Sequence, residues 1–168
     1  NWSQYVRQYA KRGHILSEVA EKSKLDPVYA PVFALEAELK QMPQTEIPTL
    51  HDFCEGLYAR TVIVPKGAVV TGHVHAMDNF FVIRAGSAVI YTPNGPDTFH
   101  AGHMGVSPAG HKIGGYALSE VIFTTFHPNP DNVQDLELIL DKYTVQPTEE
   151  EVEQLMNEAK SLEDKSWQ

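Results

Sequence analysis

The sequence predicts a mainly β protein, a sandwich or closed barrel with helical segments before and after it. Three observations carry this. Between about Glu46 and His127 the chain breaks into short runs rich in Val, Ile, Thr, Phe and Tyr, separated at close intervals by Gly and Pro, which is strand-and-turn punctuation. No helical period lies between these runs, which argues against a parallel sheet built on crossover helices. Finally, 42% of the 168 residues are apolar, including seven Phe and seven Tyr, enough for one sizeable core in a chain of single-domain length.

Taken in order, Trp2, Tyr5, Val6 and Tyr9, then Ile15, Leu16, Val19 and Ala20, recur at three- and four-residue spacing on either side of Gly13. That is the stripe of two short amphipathic helices. Asp26-Pro27 reads as a cap followed by a first-turn proline. Val28, Val32, Leu35, Leu39 and Met42 then fall on one face of a helix that stops before Pro43, and Pro31 delays its regular part. Strands are expected near 46–50, 57–64, 68–75, 79–84, 87–92, 97–100, 103–107, 112–117 and 119–127, with Asn94-Gly95 as a hairpin signal. After Pro128-Asn129-Pro130, an apolar patch from Leu136 to Leu140 leads to a last helix. Thr148 and Glu151 form its capping box, acids fill its first turn, and Val152, Leu155, Met156, Ala159 and Leu162 form its apolar face. The chain thus divides into a helical N-terminal extension (1–45), a β core (46–127) and a C-terminal extension with an acidic amphipathic helix (128–168).

Charge narrows the function classes. Thirteen basic against 22 acidic residues give a net charge of −9, a poor match to a phosphate backbone, so nucleic acid is not an expected partner. The ends differ in sign: residues 1–24 carry five bases and two acids, residues 145–168 two bases and seven acids. No apolar run approaches the roughly 18 to 20 residues that cross a bilayer, and the first 25 lack the apolar stretch of a secretory signal. The single Cys54 excludes an intrachain disulfide and any C-x-x-C motif. It reads as a structural, at least partly buried cysteine, because His51 nearby supplies no third group to orient a thiol–imidazole pair. A soluble, cytoplasmic protein is expected, and the first residue, Asn1, points to a processed or truncated start.

Six of the eight histidines fall between residues 73 and 127. In an extended segment His73 and His75 share one face, about 6.5 to 7 Å apart, and imidazoles so placed can share one ion at a metal–nitrogen distance near 2.1 Å. Alternatively the two rings line a barrel mouth and hydrogen-bond Asn79, a Tyr or water, as buried imidazoles must. His100, His103, His111 and His127 lie in or beside neighbouring strands. Gly105, Gly110, Gly114 and Gly115 form neither a dinucleotide-binding fingerprint nor a phosphate loop and read as turn glycines. Ser107 and Ser119 lack the context of a catalytic nucleophile.

The stretch Gly67, five residues, His73-Val-His75, three residues, Asn79, six residues, Gly86 resembles the first sequence motif of the cupin superfamily, with Asn79 where that family usually has Glu. Gly102, five residues, Pro108-Ala109-Gly110 resembles part of the second motif. There Ile113 stands in place of the third histidine ligand and Ala117 in place of a later Asn. The resemblance covers about residues 57–127 and implies a cupin-type double-stranded β-helix, or jelly roll. It also implies a divalent transition metal on His73, His75 and Asn79, held weakly because an amide neutralises less charge than a carboxylate. His111, one pleat from Ile113, and His127 and His103 stand as candidate third ligands. More narrowly, Gln44 to Pro48, Tyr58-Ala-Arg60, Pro65-Lys-Gly67, Val106 to Gly110, Gly115 to Leu118 and Thr125-Phe-His127-Pro resemble small cupin-domain proteins encoded by tailed bacteriophages.

These readings lead to a protein that binds a small ligand or a weakly held metal in its barrel mouth. Two alternatives stand beside it: a virion structural or assembly protein using the jelly roll as a building block, and a metal-dependent oxygenase or isomerase. The terminal amphipathic faces need cover, from their own barrel, from another protein or from another copy in a homo-oligomer.

Overall fold

The computed structural model describes residues 25–165. The two amphipathic stripes expected between Trp2 and Ala20 lie outside the described residues. A 3-10 turn, Pro27–Tyr29, runs directly into α1 (Ala30–Leu39). Ten strands follow, interrupted late by a second helix: β1 (Thr49–Cys54), β2 (Gly56–Val64), β3 (Val69–His75), β4 (Asn79–Ala85), β5 (Ser87–Thr92), β6 (Gly95–His100), β7 (Met104–Ser107), β8 (Lys112–Ala117), β9 (Val121–Asn129), then α2 (Leu136–Tyr143), β10 (Thr144–Val145) and α3 (Glu149–Lys165).

The strands form two five-stranded sheets, in the orders β1-β2-β9-β4-β7 and β10-β3-β8-β5-β6, and the recorded pairings are antiparallel. β2 pairs with β9, β3 with β8, β4 with β7 and β5 with β6. That nested order, the outermost strands joined and each inner pair folded within, is a long antiparallel ribbon wound into two facing sheets, the topology of a jelly roll. The protein is therefore mainly β with helices at both ends of the described chain, as its strand-and-turn punctuation predicts. None of its helices among the described residues is long and apolar enough to cross a membrane.

Local signals largely act as expected. The Asp26 carboxylate accepts a hydrogen bond from the Val28 amide at 3.0 Å. Thr148 and Glu151 cap α3 reciprocally, Thr148 N to Glu151 Oε2 at 2.8 Å and Glu151 N to Thr148 Oγ1 at 3.2 Å. At the β5–β6 hairpin Thr92 pairs with Gly95, so the turn is centred on Pro93-Asn94 rather than on Asn94-Gly95. Gly95 follows it with φ of +100°, the left-handed position at which a hairpin of this length needs glycine. Gly86, another motif glycine, has φ of +80°, and a Cβ there would lie 1.9 Å from the Glu120 carbonyl oxygen.

Other expectations are corrected by packing. On α1 the buried side is Ala30, Val32 and Phe33, continuous with Tyr29, while Leu35 is exposed. Of the predicted stripe Val32 is buried, but the covered side turns to Phe33 and not to Leu35. The buried residues pack with Val74, from the outer face of β3, and with Leu155, Val152, Met156 and Ala159 of α3. The apolar face of the C-terminal helix is thus covered by its own chain except at Leu162, which is 57% exposed. Cys54, expected to be at least partly buried, is exposed.

Two further clusters set up the interior. Val64, Ile83, Ala88, Ala117 and Val121 join the two sheets at one end. At the other end α2 packs down through Ile139 and Tyr143 onto Tyr58.

Candidate functional site

Strand alternation makes the site. On β2 the side chains of Tyr58, Arg60, Val62 and Val64 face a cavity between the sheets, as do Val121, Phe123, Thr125 and His127 of β9. The register pairs them as Tyr58 with His127, Arg60 with Thr125, Val62 with Phe123 and Val64 with Val121. Polarity therefore falls off along the strands, from an imidazole and phenol end, through one guanidinium, to an apolar end. From the facing sheet β3 contributes Val70, then His73 and His75. A bulge between Thr71 and Val74, where three steps on β3 face two on β8, changes the strand parity so that odd-numbered residues face inward beyond it. The cavity has a volume of about 840 Å³, in the range of small-molecule sites.

Tyr58, 2% exposed, is the hub of the polar end. Its hydroxyl shares a 2.8 Å hydrogen bond with His51 Nδ1, and its ring lies 5.7 Å from that of His127 and 6.4 Å from that of Tyr143. The Tyr143 hydroxyl donates to the Pro128 carbonyl, tying α2 to β9. His127 and Tyr143 are themselves 5.0 Å apart.

Behind His75 runs a polar chain. Its Nδ1 lies 2.7 Å from Asn79 Nδ2 and 3.0 Å from Ser107 Oγ, and Ser107 Oγ lies 2.5 Å from His111 Nδ1. The serine has one proton, so at most one of the two imidazoles accepts from it and the other bond needs a ring N–H as donor. Asn79 Oδ1 and His111 Nε2 are buried with no hydrogen bond in the described structure.

The structure thus divides the candidate metal ligands. His73, His75 and His127 line the cavity, with the His75 and His127 rings 6.2 Å apart. Asn79 supports His75 from behind. His111 turns away to Ser107 and packs on the Tyr29 ring at 5.0 Å. His103 lies elsewhere, against Phe99 and Phe81.

The donors of this set are not gathered about one point among the described residues. The Nδ1 atoms of His75 and His111 are engaged with Asn79 and Ser107, which leaves Nε2 as the other ring nitrogen, whereas His127 Nε2 lies 3.1 Å from Thr125 Oγ1. The inward position of the third ligand is filled by the aliphatic Ile113. Among the described residues no three His, Cys, Asp or Glu side chains converge as a metal would require.

Electrostatics follow from burial. Desolvation first, then the neighbouring imidazoles and Arg60, lowers the His75 pKa to about 4, and burial followed by Arg60 does the same for His127. Both rings are neutral at neutral pH. Burial, then Lys112 and Arg60, also lowers His73, and burial then Arg60 lowers His51.

Sequence reasoning missed His51, Tyr58, Arg60, Thr125 and Tyr143 as cavity residues, and Ser107 as the bridge between two histidines. One signal was available. Arg60 has the same strand parity as Val62 and Val64, which places a charge on an apolar face.

No protein-family model matches the chain, and no curated protein does. Its solved structural neighbours include cupin-domain proteins. A cupin-2 domain-containing protein from Shewanella frigidimarina NCIMB 400 is 19% identical over 56% of this chain and 92% of its own, with a TM-score of 0.40. KdgF from Halomonas sp. is 20% identical over 54% of this chain and 88% of its own, with a TM-score of 0.44. A cupin 2 conserved barrel domain protein from Leptotrichia buccalis is 14% identical over 68% of this chain and 52% of its own, with a TM-score of 0.45.

Proposed function

We propose that this protein binds a small organic molecule inside its jelly roll. The carrying observation is the cavity of about 840 Å³ between the sheets, apolar over most of its wall, with His51, Tyr58, Arg60, His73, His75 and His127 gathered at one end. A large apolar pocket with a few convergent polar groups is what fixes both affinity and orientation of a small ligand. The imidazoles act there as neutral hydrogen-bonding groups, and no chemical step is assigned to them.

Titration with a neutral solvatochromic dye, Nile red, tests this reading. Saturable binding at one site per chain is expected, weakened at least tenfold by Val70→Phe, which fills the cavity from β3. Absence of saturable binding, or binding indifferent to Val70→Phe, refutes it.

A second reading, self-assembly, has its own observation. Phe80, Met104 and Val106 are 56%, 67% and 53% exposed. Phe80 and Val106 are directly paired across β4 and β7, and Met104 is paired with Val82. β7 is the edge strand of its sheet, and an apolar patch beside an open edge is a candidate contact between copies. Light scattering after size exclusion should show an oligomer that Met104→Glu with Val106→Glu reduces to monomer; a monomeric parent protein refutes it.

A further inference from the structure

The cavity wall carries a cation with no counter-charge. Among the described residues the ion pairs are Lys40 and Lys112 with Glu36, and Lys142 with Asp131. Arg60 is in none of them, and its guanidinium has no hydrogen-bond partner there. The side chain lines the cavity and is solvent-exposed there; partial desolvation lowers its pKa, opposed by Tyr58. The groups that feel its charge are Tyr58, His51, His73, His75 and His127, all uncharged near neutral pH or displaced further toward neutrality. Arg60 keeps its charge in solvent at the polar end of the cavity, free to meet an anion, on a strand position whose next two inward neighbours are valines.

We propose that the ligand is an amphipathic monoanion, its carboxylate clamped by the Arg60 guanidinium and its apolar body lying over Val62, Val64 and Phe123. This rests on the ligand-binding reading and deepens it. The planar fork of arginine matches a carboxylate through two parallel hydrogen bonds. The apolar end has the reach for the body: from Arg60 to Val64 is about 14 Å at roughly 3.4 Å per residue, with Val70 and Ile90 facing it from the other sheet. The other charged lining residues, Lys40 and Glu36, pair with each other, so Arg60 supplies the one unpaired lining charge among the described residues; this selects a monoanion, since the surrounding imidazoles do not add positive charge to balance a second negative one.

Isothermal titration of the whole chain with decanoate, 1-decanol and decyltrimethylammonium tests the assignment. Decanoate should bind about tenfold or more tighter than decanol, and decyltrimethylammonium most weakly. Arg60→Gln should abolish the preference for decanoate while leaving decanol affinity unchanged. Arg60→Lys, which keeps the charge and loses the fork, should fall between. Equal binding of decanoate and decanol to the parent protein, or a decanoate affinity untouched by Arg60→Gln, overturns the anion assignment and leaves the ligand-binding reading standing. If none of the three probes binds, both fall. The parent protein's ranking of the probes decides the matter even if Arg60→Gln does not fold.

Discussion

The contact between α1 and the β3–β8 sheet makes an asymmetric prediction. Lys112, 3% exposed, projects from the outer face of β8. Its Nζ lies 2.9 Å from Glu36 Oε1 and 2.8 Å from the Gly72 carbonyl, and 4.7 Å from the centre of the Phe33 ring. The Glu36 side chain is 25% exposed and also reaches Lys40 at 3.4 Å. Glu36→Ala leaves the ammonium buried with one carbonyl and a ring face. Breaking one partner of a buried pair costs about 3 to 5 kcal/mol, and the partial exposure of Glu36 places this case near the lower end, at about 3 kcal/mol. Lys112→Met leaves a carboxylate that can turn to solvent or to Lys40 and places an apolar chain on Phe33, at a cost of about 1 kcal/mol. Urea denaturation followed by circular dichroism measures both. A Glu36→Ala loss no greater than that of Lys112→Met would refute the reasoning. The pair also has a pH signature. Burial raises the Glu36 pKa, but the hydrogen bond and charge of Lys112, then Lys40, outweigh it and the net shift is downward from 4.5. The contribution is therefore complete above about 4.5 and lost as pH falls through the folded value, a decline that Lys112→Met should reduce.

Three further outcomes are expected. His75 and His127, lowered from 6.5 to about 4, stabilise the fold fully above 6.5 and progressively less as pH falls toward 4. For His127 this is on the order of 3 kcal/mol, so His127→Gln should flatten stability over that window in denaturation curves taken at several pH values. Gly86→Ala adds a Cβ 1.9 Å from the Glu120 carbonyl oxygen at a positive φ and should cost more than about 1 kcal/mol; an unchanged urea midpoint contradicts the turn geometry. Leu155→Ala, which empties a buried position between α3 and α1, should lower stability by about 2 to 5 kcal/mol, read by thermal unfolding. A near-zero effect would mean that α3 does not dock there.

The sequence alone determined what depends on neighbours a few residues apart. Strand runs separated by turn glycines, the Asp26 cap, the Thr148–Glu151 box and the common facing of His73 and His75 are all set by local sterics and by the two-residue period of a strand. Only the tertiary structure decided which groups meet. The His73-Val-His75 spacing cannot say that Ile113 closes the third place or that Ser107 bonds His75, because those meetings join residues more than 30 positions apart in the chain. For the same reason β10 and the covering of α3 by α1 were not legible. Arg60 shows the boundary between the two: its strand parity can be read from Tyr58-Ala-Arg60-Thr-Val62, but its lack of a counter-charge among the described residues appears only when β2, β3 and β9 close around it. Local backbone geometry orients a side chain; pairing register chooses its company, and in a jelly roll that register joins residues far apart in the chain.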